Sequence, residues 1–333
     1  MTTAAQQPPQ APESERPRDA PAAPRTSRDA KPKARAGDRV FSGLSRGSGT
    51  LILVILAAVA LFLIVQSLPA LTAPPAEVSG GGGFWGFVGP LMFGTVYAAA
   101  LAMVMAVPVA VGIALFISHY APRRLAQGLG YIIDLLAAVP SVVFGLWGIT
   151  VLAGFLQPFY AFLTDAFGWF PLFAGPVSGT GRTIFTVAVV LAVMILPIVT
   201  ALCREVFLQT PKLHEEAALA LGATRWEMIQ TAVLPFGRPG IISASMLGLG
   251  RALGETMAVA IVLSPAAVVN FAWFQSTNSN TVAANIALSF PEAYGLKINE
   301  LIASGLMLFV ITLAVNMLAR YIISRRKAFS GAN

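Results

Sequence analysis

Residues 183–207, TIFTVAVVLAVMILPIVTALCREVF, decide the fold class: from Thr183 to Cys203 the chain carries no Asp, Glu, Lys or Arg. At about 1.5 Å of rise per residue, a helix over this stretch crosses the roughly 30 Å of hydrocarbon in a bilayer. Apolar side chains surround such a helix on all sides, an arrangement that lipid solvates and water does not. Working outward, segments near 50–71, 89–118, 127–156, 240–265 and 299–323 have the same character. The expectation is an all-α, polytopic membrane protein with six transmembrane helices. Pro108, Pro140 and Pro197 fall inside spans two to four, where they kink a helix or shape its packing.

Composition agrees with that class. Of 333 residues, 56% are hydrophobic and 11% charged, and mean hydropathy is +0.74, too apolar for a soluble fold of this length. Residues 1–48 are different: rich in Pro, Ala and charge and without apolar periodicity, they are expected to form a disordered basic tail. The polar lead is too long for a secretory signal, so the first apolar run is expected to stay as an anchor, with its outer loop completing 49–82. The remainder divides into a core at 83–325, containing a loop at 208–238, and a tail at 326–333.

Placement of the 22 Lys and Arg sets the orientation. One side receives the basic tail, Arg123, Arg124, Lys212, Arg225, Arg238, Arg320, Arg325, Arg326 and Lys327; the other receives Arg182 and Lys297. The positive-inside rule then puts both termini in the cytoplasm of a multi-pass plasma (inner) membrane protein. A basic tail before a span meets acidic lipid, so membrane lipid and no nucleic acid is the expected partner of these charges. Cys203, His119 and His214 are solitary in sequence, which gives neither a metal site nor a catalytic constellation. Gly80 to Trp85 and Phe155 to Pro176 read as outer loops, with Phe167, Trp169 and Phe170 suited to the headgroup layer.

Between spans four and five lies Glu215-Glu216-Ala217-Ala218-Leu219-Ala220-Leu221-Gly222-Ala223-Thr224-Arg225, followed later by Leu234-Pro235. It reads as a helix, a break at Gly222, and a second helix with Trp226, Ile229 and Val233 at helical spacing. An exposed helix of this kind either rests on the bilayer or offers a docking surface, and Ala217 and Ala218 permit close approach. The spacing resembles the coupling loop of ABC importer permeases: Glu-Ala-Ala, three residues, Gly, nine residues, an aliphatic residue, one residue, then Leu-Pro. Ala232 stands at the aliphatic position. The resemblance implies a type I ABC importer permease fold and an ATPase-coupling role for Glu215, Glu216, Ala217, Ala218, Gly222 and Arg225. The chain has no Gly-rich Lys-Ser/Thr loop, so ATP and Mg are expected to be used by a separate ATPase and no cofactor by this chain.

In span five, GLGRALGETMA at 248–258 places Arg251 and Glu255 four residues apart, on one face of an expected helix and about 16 Å into the bilayer. A charge at that depth must be compensated. Two readings stay open: an ion pair that locks helices together, or an anion relay in which the guanidinium holds two oxygens of an oxyanion and Glu255 occupies it when the pathway is empty. Asp134, nearer an interface, is expected to be satisfied by water or by Arg204.

The stretch Gly250 to Thr256 is similar to the segment that follows the coupling loop in the phosphate-uptake permeases PstC and PstA. AVPSVVFGLWG at 138–148 resembles that family's third-span element, and Gly94-Thr95 with Pro108 extends the likeness over about 90–323. The full GLGRALGETMA run and the long leading tail favour the PstC branch. The resemblance implies a permease, not an enzyme, with Arg251, Glu255 and Thr256 on the path of inorganic phosphate. It also implies a PstA-type permease chain in a heterodimer, two PstB-type ATPase subunits, and an extracytoplasmic phosphate-binding protein.

Overall fold

A computed structural model describes residues 36–327. The chain divides into two compact units, one ending at Leu56 and one beginning at Ala57. Described residues of the first are helical and belong to α1 (Ala36–Thr72). The expected tail at 1–48 lies outside the described residues up to 35, but 36–48 is helix rather than disordered chain. Its cause is cooperativity: once the apolar run has nucleated a helix, each added residue costs little, so the helix propagates back through polar sequence. Residues 328–333 also lie outside the description, and α12 (Leu296–Lys327) extends into the expected terminal tail.

Among the described residues six helices are long and apolar enough to cross a membrane: Val40–Thr72, Gly83–Tyr120, Ser141–Phe167, Ile184–Leu208, Arg225–Leu253 and Leu296–Leu318. Four fall where the hydrophobic runs place them. The third and fifth are displaced, each for a local reason.

The third span was expected over 127–156 as one helix, and it is two. Helix α3 (Arg123–Ala137) stops before Pro140, and α4 (Ser141–Trp147) starts after it. Proline lacks the N–H that would continue the ladder and drives the preceding residue out of the helical region. Helix α4 then passes through a wider π turn at 148–152 into α5 (Ala153–Phe167), so Phe155 to Phe167 is span rather than loop. Helix α3 is amphipathic, burying Gly130 and Ile133 while Tyr131 and Leu135 stay exposed. Asp134 is exposed and forms no ion pair with Arg204; the Arg204 guanidinium lies over Gly130, where a Cβ would stand 2.7 Å from Nη1. By contrast α2 (Gly83–Leu115) and α6 (Ile184–Leu208) run through Pro108 and Pro197 without interruption.

The fifth span was expected over 240–265, and it starts fifteen residues earlier, at Arg225. Thr224 nucleates it with a capping box: its hydroxyl accepts from Glu227 N–H at 3.3 Å, and Glu227 Oε2 accepts from Thr224 N–H at 2.7 Å. Helix α8 (Arg225–Met228) continues through a π turn at 229–233 into α9 (Leu234–Leu253). The extra residue in that turn accommodates Pro235, which has no N–H to give. The second helix of the loop is therefore the root of the span itself.

Helix α6 is the axis of the core, with Val187, Leu191, Met194 and Ile195 all but fully buried. Facing it, α2 presents Ala98, Ala102, Ala106 and Ala110, a small-residue row that lets the helices approach closely. Helix α9 joins them on Gly237 and Gly240, where an added Cβ would fall 2.8 Å from the Phe207 ring and 2.5 Å from Val206.

Close approach without a side chain recurs at Gly148, whose Cβ would stand 2.6 Å from Val190 Cγ2 and 3.1 Å from Val262 Cγ2. Gly154 has open space around it. Gly148→Val is expected to lower stability by about 1–3 kcal/mol through overpacking, with Gly154→Val close to the parent. Monodisperse recovery after graded heating in detergent, read by size-exclusion chromatography, checks this; equal curves would refute it.

Candidate functional site at the broken end of the fifth span

Helix α9 ends at Leu253, and a second piece, α10 (Met257–Val262), begins after three intervening residues. The break changes the expected geometry of Arg251 and Glu255. They do not share a helical face, and no ion pair joins them. Arg251 occupies the last turn of α9, the end where the helix dipole favours a cation, while Gly250 O and Ala252 O accept from Gly254 N–H and Glu255 N–H in the break. Its Nε is buried and without a hydrogen-bond partner. Glu255 is 8% exposed and turns the other way: its Oε1 accepts from Ala258 N–H at 3.2 Å, in the first turn of α10. Thr256 donates from its hydroxyl to Gly254 O at 3.2 Å, which steadies the break.

The far end of α10 is held as well. Arg182 donates to Ile261 O at 3.2 Å and to Leu263 O at 3.1 Å, a position that complements the negative end of the helix. Reading Arg182 as a flanking charge missed this contact, because the carbonyls it meets lie some eighty residues away in sequence.

Three of the sequence stretches singled out above converge here. Gly145 of α4 faces Ala258, with a built Cβ 2.9 Å from its Cα, and Gly148 faces Val262. Thr95 of α2 accepts through Oγ1 from Val282 N–H at 2.9 Å, at the start of α11 (Val282–Ser289). Gly94 leaves room for the backbone of Ser279 and Asn280. Between α10 and α11 the chain makes a two-residue parallel pairing of β1 (Pro265–Ala266) with β2 (Asn278–Ser279). Trp273 Nε1 donates to Tyr97 Oη at 2.6 Å, and Tyr97 donates to Phe271 O at 2.9 Å, tying this connection to α2. The aromatics of this end largely pack on one another, Phe173 with Trp273 and Phe274, while Trp169 is 80% exposed.

Arg251 borders a cavity of about 940 Å³ between α6, α9 and α12. Its polar lining is Arg251, Ser243, Asn316 and Arg320, with Ile198 and Leu313 among the apolar walls. No carboxylate lines it, and neither Glu255 nor Thr256 reaches it. Ser243, Leu247 and Arg251 recur every four residues, as do Asn316 and Arg320; that spacing was legible, but nothing in the sequence sets the two helices side by side.

At the other end of the span, Glu215, Glu216, Ala217 and Ala218 lie on α7 (Lys212–Ala220). Gly222 takes φ +87°, a left-handed conformation that suits glycine, and Arg225 opens α8. Glu216 and Ala217 are exposed, but Ala218 packs inward against the core around Phe207 and Ile229, so only part of the small-residue surface is open. Leu213 and Leu221 are strongly exposed. Glu215 is tied to the end of the second span: its Oε1 stands 3.5 Å from His119 Nε2, whose Nδ1 lies 2.7 Å from Ser118 Oγ. His119 is thus not solitary, a contact invisible to sequence spacing.

Residues 106–328 match the family model described as binding-protein-dependent transport system inner membrane component. The chain is 48% identical over 301 residues to the phosphate transport system permease protein PstC 2 of Mycobacterium tuberculosis (strain ATCC 25618 / H37Rv), covering 87% of this chain and 92% of that one. It is 38% identical over 327 residues to PstC of Mesorhizobium japonicum (strain LMG 29417 / CECT 9101 / MAFF 303099), covering 92% and 97%. A solved bacterial ABC transporter involved in import of the acidic polysaccharide alginate superposes with a TM-score of 0.51 at 18% identity, over 86% of this chain and 99% of that one. That likeness shows the fold, the type I ABC importer permease architecture. The chain belongs to the binding-protein-dependent transport system inner membrane component family, and within it to the PstC-type permeases.

Proposed function

We propose that the chain forms half of the translocation pathway of an ATP-driven importer of inorganic phosphate, and that Arg251 is the group that holds the anion. The observation that carries this reading is the guanidinium at the end of α9, with a buried, unpartnered Nε on a cavity free of carboxylates. A charge inside a span costs about 2.5 kcal/mol or more, and the carbonyl end of a helix returns only about 0.3–1 kcal/mol. The remaining deficit favours an anion in the cavity. A planar guanidinium can donate to two phosphate oxygens at once, a geometry that a lysine ammonium cannot reproduce. Glu255 and Thr256 serve the pathway indirectly, by fixing the break that ends α9 beside the cavity. This arrangement replaces the relay between Arg251 and Glu255, because the carboxylate is committed to α10.

The remaining assignments follow the family resemblance. The partner in the membrane is a PstA-type permease chain, two PstB-type ATPase subunits hydrolyse ATP with Mg, and an extracytoplasmic phosphate-binding protein delivers substrate. No cofactor is bound by this chain itself. Both termini lie in the cytoplasm of the inner membrane, by the distribution of Lys and Arg. Helix α7 is the docking element for the ATPase, with Glu216 and the exposed Leu213 and Leu221 on its accessible surface. Glu215, Ala217, Ala218, Gly222 and Arg225 shape that element and its turn into α8.

Arg251→Lys keeps the charge and loses the fork. Losing one charge-assisted hydrogen bond of about 1.5–3 kcal/mol predicts an uptake rate lower by about ten- to a hundredfold, with normal membrane insertion. Radiolabelled phosphate uptake into ATP-loaded vesicles measures it, and uptake at the parental rate would remove Arg251 from the pathway. For the docking surface, Glu216→Lys is expected to leave the permease folded, since the side chain is exposed, while most ATPase subunit is lost on co-purification. A normal complex with full transport would exclude the coupling role.

A further inference from the structure

We infer that Arg320 is a second oxyanion-binding group of the same passage, and that the cavity between α9 and α12 conducts inorganic phosphate from Arg251 toward Arg320. This rests on the reading of Arg251 as an anion contact. Arg320 stands on the cavity wall, and among the described residues no carboxylate pairs with it. Arg320 is exposed on that wall, so its guanidinium is open to an anion that enters the groove.

The two guanidiniums take opposite ends of the space. Helix α2 begins near Glu300 of α12, whose Oε1 accepts from Ser79 N–H at 3.1 Å, and it finishes at the His119 contact with α7. Helix α12 therefore runs from the end away from α7 toward the end that bears it, and Arg320 lies near the latter. Helix α9 runs the opposite way, so Ser243 is level with the Arg320 end and Arg251 with the other. The distance from Ser243 to Arg251 along α9 is about 12 Å. Near the Arg320 end stands the Asn316 amide, a neutral donor, while the Ser243 hydroxyl donates to Pro239 O at 2.9 Å.

Such a row suits passage better than a single strong site. Two cations along a groove with apolar walls and no carboxylates focus a positive potential that admits anions and rejects cations. Sharing the attraction between two stations, with the Asn316 amide beside the second, keeps each one weak enough to release its ion. Inorganic phosphate and a phospholipid headgroup present the same oxyanion chemistry; the place of the second arginine on one groove wall with Asn316, in a groove that also reaches Arg251, favours the free ion.

The test labels the space between the stations. The assembled importer carrying Asn316→Cys is placed in phosphatidylcholine vesicles and treated with an anionic or a cationic methanethiosulfonate; Cys203 is buried. The anionic reagent is expected to react about tenfold faster, inorganic phosphate to slow it, and Arg320→Gln to remove most of that preference. Equal rates for the two reagents, no protection by inorganic phosphate, or a preference unchanged by Arg320→Gln would each overturn the assignment. Protection by added phosphatidylglycerol with none by inorganic phosphate would overturn it in favour of a headgroup. If Asn316→Cys does not assemble, Met317→Cys on the same wall carries the measurement. Labelling reads Arg320 directly, whereas failure of the reading beneath it shows separately, as normal uptake by Arg251→Lys.

Discussion

A full charge inside a bilayer has to be answered by an opposing charge or dipole, and the break between α9 and α10 answers two charges separately. Arg251 stands in the last turn of α9, where the helix dipole favours a cation, and Glu255 accepts from Ala258 N–H in the first turn of α10. Had the helix continued, the two side chains would have neutralised each other four residues apart. Interrupting it replaces an ion pair with a helix-end contact for the acid and a helix-end position for the cation. The acid is thereby consumed by the fold while the cation keeps donor capacity for something else.

That exchange requires α10 to be held firmly, because a six-residue helix has little stability alone. Arg182 on its last carbonyls, Gly145 and Gly148 beneath it, and the Thr95 contact to α11 nearby supply that support. The glycines of the third span thus owe their place to the break in the fifth. Stretches far apart in sequence serve one local conformation.

Much of this architecture was legible in the chain. Hydrophobic length located six spans, and the spacing around Glu216 and Gly222 located α7 and its turn. The displaced spans show where one-dimensional reading stops. Hydropathy cannot register Pro140 ending a helix within an apolar run, nor Thr224 starting one in polar sequence. At Gly254 a single glycine permits either continuation or termination, and the choice falls to tertiary partners such as Arg182. The contacts His119 to Glu215 and Arg320 to the cavity depend on which helices are neighbours, which no local periodicity records.

From Arg225 to Leu253 the chain is one helical rod with a π turn near its root, rooted beside α7 and ending at the break. At about 44 Å in length, a swing of about 5° about its root carries the tip through about 4 Å. The rod therefore works as an angular amplifier: a small rotation beside Gly222 becomes, at Arg251, a displacement larger than a hydrogen bond is long. Contacts between the guanidinium and an ion could be made or broken by motion that leaves every helix internally unchanged.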